Sequence, residues 1–185
     1  MINRFVYSGL SVVLTLGMLG AGYAQTPTTP QPSESVSKLD STDRQFLDDA
    51  AEAGATEVAG SKLALEKGKH AEVKTFAQQM IDDHTKVAQQ LTELAKSKGY
   101  EPPTEPSLMQ KAKLKALGLR DEGFDEAYAN EIGVSAHEDA VVLFEKASKE
   151  VQDPEVKQFA TETLPKLQEH LAHAKTLQQT VAPAK

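Results

Sequence analysis

The 185 residues contain no cysteine, which excludes a disulfide framework, a thiolate metal site and a thiol nucleophile together. Stability must then come from packed apolar surface alone, and about 140 residues of helix can supply it. There is no basic excess. The chain has 27 acidic residues against 20 basic ones, net −7, whereas a nucleic-acid binder would show a basic face. Glycine-rich phosphate loops are absent. So are strand-like alternation and any short-period repeat. The apolar run Val12–Gly20 is too short to span a bilayer permanently.

That run fits an export leader. Arg4 supplies a positive start, and "AGYA" puts Gly22 and Ala24 at the −3 and −1 positions of a signal-peptidase site before Gln25. Residues 1–24 are expected to be a cleaved signal peptide, leaving a periplasmic or secreted chain. Only Arg4 is lost among the charges, so the remainder carries 19 basic and 27 acidic residues, net −8. No cysteine follows the cleavage site to carry a lipid anchor, and association with the outer membrane by other contacts stays open. Residues 25–40, opening with "QTPTTPQPSESVSK" (Gln25 to Lys38), are rich in Pro, Thr and Ser and lack an apolar period. They are expected to be a disordered linker ahead of a domain spanning 41–182.

The domain reads as helices. The first runs from an N-cap at Ser41 or Thr42 to Gly68, with Phe46, Ala50, Ala53, Glu57, Gly60 and Ala64 inward. The second, Ala71 to Lys98, ends on Gly99 and turns Val73, Phe76, Met80, His84, Val87, Leu91 and Leu94 inward. After "YEPPTEP" a short basic helix opens on Ser107, with Gln110 placed to complete a capping box. A third long helix, about Glu122 to Val151, points Phe124, Ala127, Val134, His137, Val141, Phe144 and Ser148 inward. Asp153 and Pro154 open a fourth, with Val156, Ala160, Thr163, Leu167, His170, Ala174 and Leu177 inward and a bend expected at Pro165. Two short connections and one long one predict an all-α, ferritin-like antiparallel four-helix bundle. The crossover between the second and third long helices contains the short helix.

Each long helix therefore turns one polar residue inward near mid-length: Glu57, His84, His137 and His170. Glu57 and His84 lie about 18 and 22 Å from the first turn, and His137 and His170 about 23 and 27 Å from the second. Buried at one level, four such groups are costly unless they satisfy one another or hold a metal. One reading is a hydrogen-bonded layer that fixes helix register. The alternative is a divalent zinc or copper ion held by the three histidines, with Glu57 nearby. Met80, one turn before His84, would add a soft thioether suited to copper.

"VKTFAQQMIDDHTKV", "FDEAY" followed by His137, and "TLPKLQEHL" together resemble a family of exported bacterial ferritin-like bundles. The family is a domain of unknown function, often labelled predicted outer membrane protein. The resemblance covers about Asp43 to Leu177 and implies the fold and an envelope location, but no settled activity. It does not bring di-iron chemistry with it. Such sites use Glu-x-x-His, and the residues three before His84, His137 and His170 are Ile81, Val134 and Leu167.

The remaining candidates are peripheral. His173 borders the polar face, His70 sits at a turn, and Asp82 points away from the core. Asp83 is placed to orient a histidine on a neighbouring helix. Tyr128 needs a partner for its hydroxyl. Ser61 has no nearby histidine in sequence to make it a nucleophile. The basic helix, with Lys111, Lys113, Lys115 and Arg120, reads first as a solvated crossover face and second as a contact for anionic lipid. No catalytic machinery is evident, so a non-enzymatic envelope or stress-related protein is expected.

Overall fold

The computed structural model describes residues 39–183, and every described element is helical. The expected signal peptide and all but the last two residues of the expected linker lie outside that range. Within it, no helix is long and apolar enough to cross a membrane.

Helix α1 spans Ser41–Lys67. Its N-cap is Asp40 rather than Ser41 or Thr42, and the Asp40 carboxylate accepts the Asp43 N–H at 2.8 Å. Leu39, just before it, is buried with Phe46 and Leu47, which draws the ordered start earlier. Helix α2 spans Ala71–Ser97 and ends on Gly99 at φ 69°. There the Gly99 and Tyr100 N–H groups return to the carbonyls of Lys96 and Ala95, both at 2.9 Å, a glycine-dependent helix stop. Helix α3, Leu108–Gly118, carries the capping box expected of Ser107 and Gln110.

The third long rod begins at Phe124, after Gly123, later than the expected Glu122. It is not one regular helix. Helix α4, Phe124–Tyr128, passes into a π-helical segment, Ala129–Ser135, and then into helix α5, Ala136–Glu150. Helix α6, Pro154–Val181, is capped by Asp153 and stays helical through Pro165.

The ends are tied by two buried carboxylates. Asp125, at the start of the third rod, accepts the Lys69 and His70 N–H groups of the α1/α2 turn at 2.8–3.1 Å. At the other end Asp43 accepts the N–H groups of Gln152 and Asp153, at 2.7 and 3.2 Å. Lys98, just past α2, reaches Asp153 there at 3.0 Å. So α2 and the third rod run in the same direction, and residues 98–123 travel back along the length of the molecule. The packed neighbours are α1 with α2, α5 with α6, α2 with α6, and α1 with α5.

Two apolar clusters fill the interior. One holds Phe76, Met80, Tyr128, Ile132, Ala174 and Leu177. The other holds Phe46, Leu91, Phe144, Phe159 and Leu167. On every long rod the predicted polar residue falls at the seam between them: Glu57 between Ala50 and Ala64, His84 between Met80 and Leu91, His137 between Val134 and Ala140, His170 between Leu167 and Ala174. Not all of the inward stripe is equally covered. Ala53, Val87, Leu94, Val141 and Ser148 are half-buried, because they flank the stripe, while Leu47, Ala77 and Ala95 complete it.

Candidate metal centre

At the seam Glu57, His84, His137 and His170 are all buried, none more than 3% exposed. The ring centroids are 5.4 Å apart for His84 and His137, 5.2 Å for His84 and His170, and 5.6 Å for His137 and His170. One nitrogen from each ring lies within 4.8 Å of the other two. The sequence placed these three histidines at one level, and they converge.

The outer partners fix how each ring is protonated. His84 Nδ1–H donates to Glu57 Oε2 at 3.0 Å. His137 Nδ1–H donates to the carbonyl of Ile132 at 3.1 Å. His170 Nε2–H donates to Asp83 Oδ2 at 3.1 Å. A carboxylate or a carbonyl can only accept, so each of those nitrogens carries the hydrogen. In a neutral ring the other nitrogen is then a lone pair: Nε2 of His84, Nε2 of His137 and Nδ1 of His170. The two Nε2 atoms face each other at 3.4 Å. His170 Nδ1 is buried and has no hydrogen-bond partner.

Charge follows the same pattern. Burial pushes Glu57 upward, but the imidazoles of His84, His137 and His170 and the hydrogen bond from His84 outweigh it and hold the carboxyl at about 2. Burial disfavours protonated His84, yet the Glu57 charge and hydrogen bond raise its pKa above the ordinary value. His170 goes the other way. Burial and the neighbouring His84 lower it to about 4, against the pull of Asp83. Asp83 resists burial through its bond from His170 and is lowered.

Two expectations for the surroundings hold and one changes. Asp83 does orient His170 from a neighbouring helix. Tyr128 finds its partner in Ser61, with the two hydroxyls 2.8 Å apart and buried. Glu57, weighed as a fourth ligand, instead addresses outer nitrogens: besides its bond to His84, Oε1 lies 3.6 Å from His137 Nδ1. It does not join the converging nitrogens. His70, Asp82 and His173 are exposed and outside the site. Sequence reasoning missed the Ile132 carbonyl. It lies within the π-helical segment, five residues before His137, and a backbone acceptor leaves no side-chain signature.

Residues 28–177 match the family described as Domain of unknown function (DUF4142), and the chain belongs to that family. No curated protein matches it. Among solved structures it is similar to CopM in its Cu(I)-bound form, with a TM-score of 0.66 and 19% identity over 78% of this chain and 100% of that one. CopM in its Ag-bound form gives 0.60 and 17% over 75% and 95%. A DUF305 fragment from Deinococcus radiodurans gives 0.67 and 14% over 77% and 98%. At these identities the likeness is one of fold.

Proposed function

We propose that the protein binds one copper(I) ion through His84 Nε2, His137 Nε2 and His170 Nδ1, and that it holds or delivers the ion rather than catalysing a reaction. The observation that carries this reading is the set of three inward lone pairs, each on a ring whose outer N–H is already committed. Nitrogens 2.0–2.1 Å from a shared ion sit roughly 3.3–3.6 Å apart. The 3.4 Å between His84 and His137 meets that spacing, and His170 reaches it with about 1 Å of ring adjustment. Glu57, the Ile132 carbonyl and Asp83 then act as orienting acceptors, which fix the tautomer and raise ligand basicity.

Copper(I) is preferred to zinc on the donor set. Among the described residues no fourth His, Cys, Asp or Glu joins the three rings; zinc would need a water as its fourth donor, whereas three nitrogens complete a trigonal site for copper(I). The thioether of Met80, buried one turn before His84, is a soft neighbour. That two of the similar folds are described with Cu(I) and Ag bound supports the choice. The wider reading is an exported, ferritin-like four-helix bundle over 41–182. It is supported by the pair, crossover, pair order of the rods and by the leader-like residues 1–24.

The test is metal content after loading with Cu(I) under reducing conditions, and separately with Zn(II), followed by removal of excess. One copper per chain is expected, with three nitrogen scatterers in its X-ray absorption spectrum. His84→Ala should abolish it. Unchanged copper in that variant overturns the proposal, and zinc held at equal stoichiometry against competing copper reassigns the ion.

A further inference from the structure

We propose that α3 docks the protein on an anionic phospholipid surface. Only Leu114 and Leu117 of this helix are buried. At about 100° per residue, Leu108, Ala112 and Leu119 fall on the opposite side, with Met109 and Ala116 beside them. Leu108 is 88% exposed, Leu119 74% and Met109 72%, and only Val142 joins them as an exposed large apolar residue among the described ones. A scattered exposed leucine needs no explanation, but three large apolar side chains on one short helix and its C-cap form a patch.

The charges around that patch choose its partner. Lys111 and Lys115 line one edge of the apolar row, and Lys113 and Arg120 the other. No acidic residue occurs from 107 to 120, although the chain as a whole is −7. Lys111 leans on Glu105 and Arg120 on Glu131, while Lys113 and Lys115 have no carboxylate partner among the described residues. Two copies meeting through this face would set four cations against four, so self-association is disfavoured. A phospholipid surface meets both demands. The apolar row enters the boundary between headgroups and acyl chains, and the flanking stems carry their ammonium groups up to the phosphates. Eleven residues with few large apolar groups make a reversible contact that needs both attractions.

The experiment is sedimentation of the exported form with vesicles of mixed phosphatidylglycerol and phosphatidylcholine, against phosphatidylcholine alone. Partitioning onto the anionic vesicles should be at least about tenfold stronger and should fall in about 0.5 M salt. Lys113→Gln with Lys115→Gln should weaken it about tenfold. Leu108→Ser with Met109→Ser should do the same. All four side chains are exposed, so both double variants should keep the parent's thermal melt and copper content, which separates this proposal from the metal site. Equal binding to both vesicle types overturns the proposal, as does binding that neither double variant weakens. A dimer that Leu108→Ser with Met109→Ser dissolves, in protein that ignores vesicles, assigns the face to a second copy and also overturns it.

Discussion

Replacing Glu57 by glutamine separates charge from shape at the one carboxylate wholly inside the polar layer. The side chain is 1% exposed, with Oε2 3.0 Å from His84 Nδ1 and Oε1 3.6 Å from His137 Nδ1. Its pKa falls from 4.5 to about 2 on folding. A carboxyl held low in the folded state contributes stability that is complete above the unfolded pKa. That contribution is lost as pH falls through the folded one. The displacement corresponds to about 3 kcal/mol, present above pH 4.5 and gone near pH 2. Glutamine does not titrate, so the metal-free Glu57→Gln protein should lack this acid-side loss. At neutral pH it should be less stable by ~2–3 kcal/mol. The amide oxygen can still take the His84 hydrogen, but its NH₂ then confronts the Nδ1–H of His137. His84 also loses the charge that raises its pKa.

Urea denaturation in the presence of a chelator, at several pH values, reads this directly as a shift in midpoint at constant slope. The gap between the two proteins should be full just above pH 4.5 and should close as pH falls from there toward 2. His170, whose pKa is lowered to about 4, adds a loss between 6.5 and 4 in both proteins, because a base held neutral by folding resists protonation. Parallel stability curves for parent and variant across the carboxyl range would refute the charge assignment at Glu57.

Asp83→Asn should lower copper affinity about 10–100-fold while leaving metal-free stability within about 1 kcal/mol, since the carboxylate orients His170 from a partly exposed position; competition with a chromogenic chelator measures it. Gly60→Ala places a methyl 2.8 Å from Ile132 Cγ1, against a buried β-branched side chain. It should cost about 1–3 kcal/mol and disturb the Ile132 carbonyl, seen as a changed His137 Nδ1 signal in nitrogen NMR of the imidazoles. Tyr128→Phe strands the buried Ser61 hydroxyl and should cost about 1–2 kcal/mol by denaturation, with copper content unchanged.

Helical spacing alone was enough to bring Glu57, His84, His137 and His170 to one height, because each lies about three to five turns from a readable helix end. It was also enough for the Gly99 stop, the Ser107 capping box and the Asp153–Pro154 start. What spacing cannot give is which ring nitrogen faces inward. That depends on acceptors brought from other elements, and for His137 on a carbonyl of the π-helical segment. Nothing in "ANEIGVS" announces that segment, since every residue in it is compatible with an α-helix. Its place is a matter of packing: Ile132 presses against the bare backbone of Gly60, and Gly133 against Ala174. The first cap was misplaced for a similar reason. Asp40, Ser41 and Thr42 are all competent caps, and the burial of Leu39 selects among them.

A register device would need far less than this layer supplies. One buried polar pair suffices to fix the alignment of packed helices, and replacing a buried ionic group by well-packed apolar residues is often neutral or stabilising. Two apolar clusters already flank the seam, so joining them through leucines would leave a continuous core. Instead three rings are kept, each with one nitrogen bonded to an acceptor, and one nitrogen of each lies within 4.8 Å of the others. The surplus has a use if something occupies the common point. A proton shared between the two Nε2 atoms would answer only part of the demand and would leave His170 Nδ1 without a partner. A single ion answers all three lone pairs at once, in place of any such proton. Binding is therefore the reading under which every buried polar nitrogen of the three rings is satisfied.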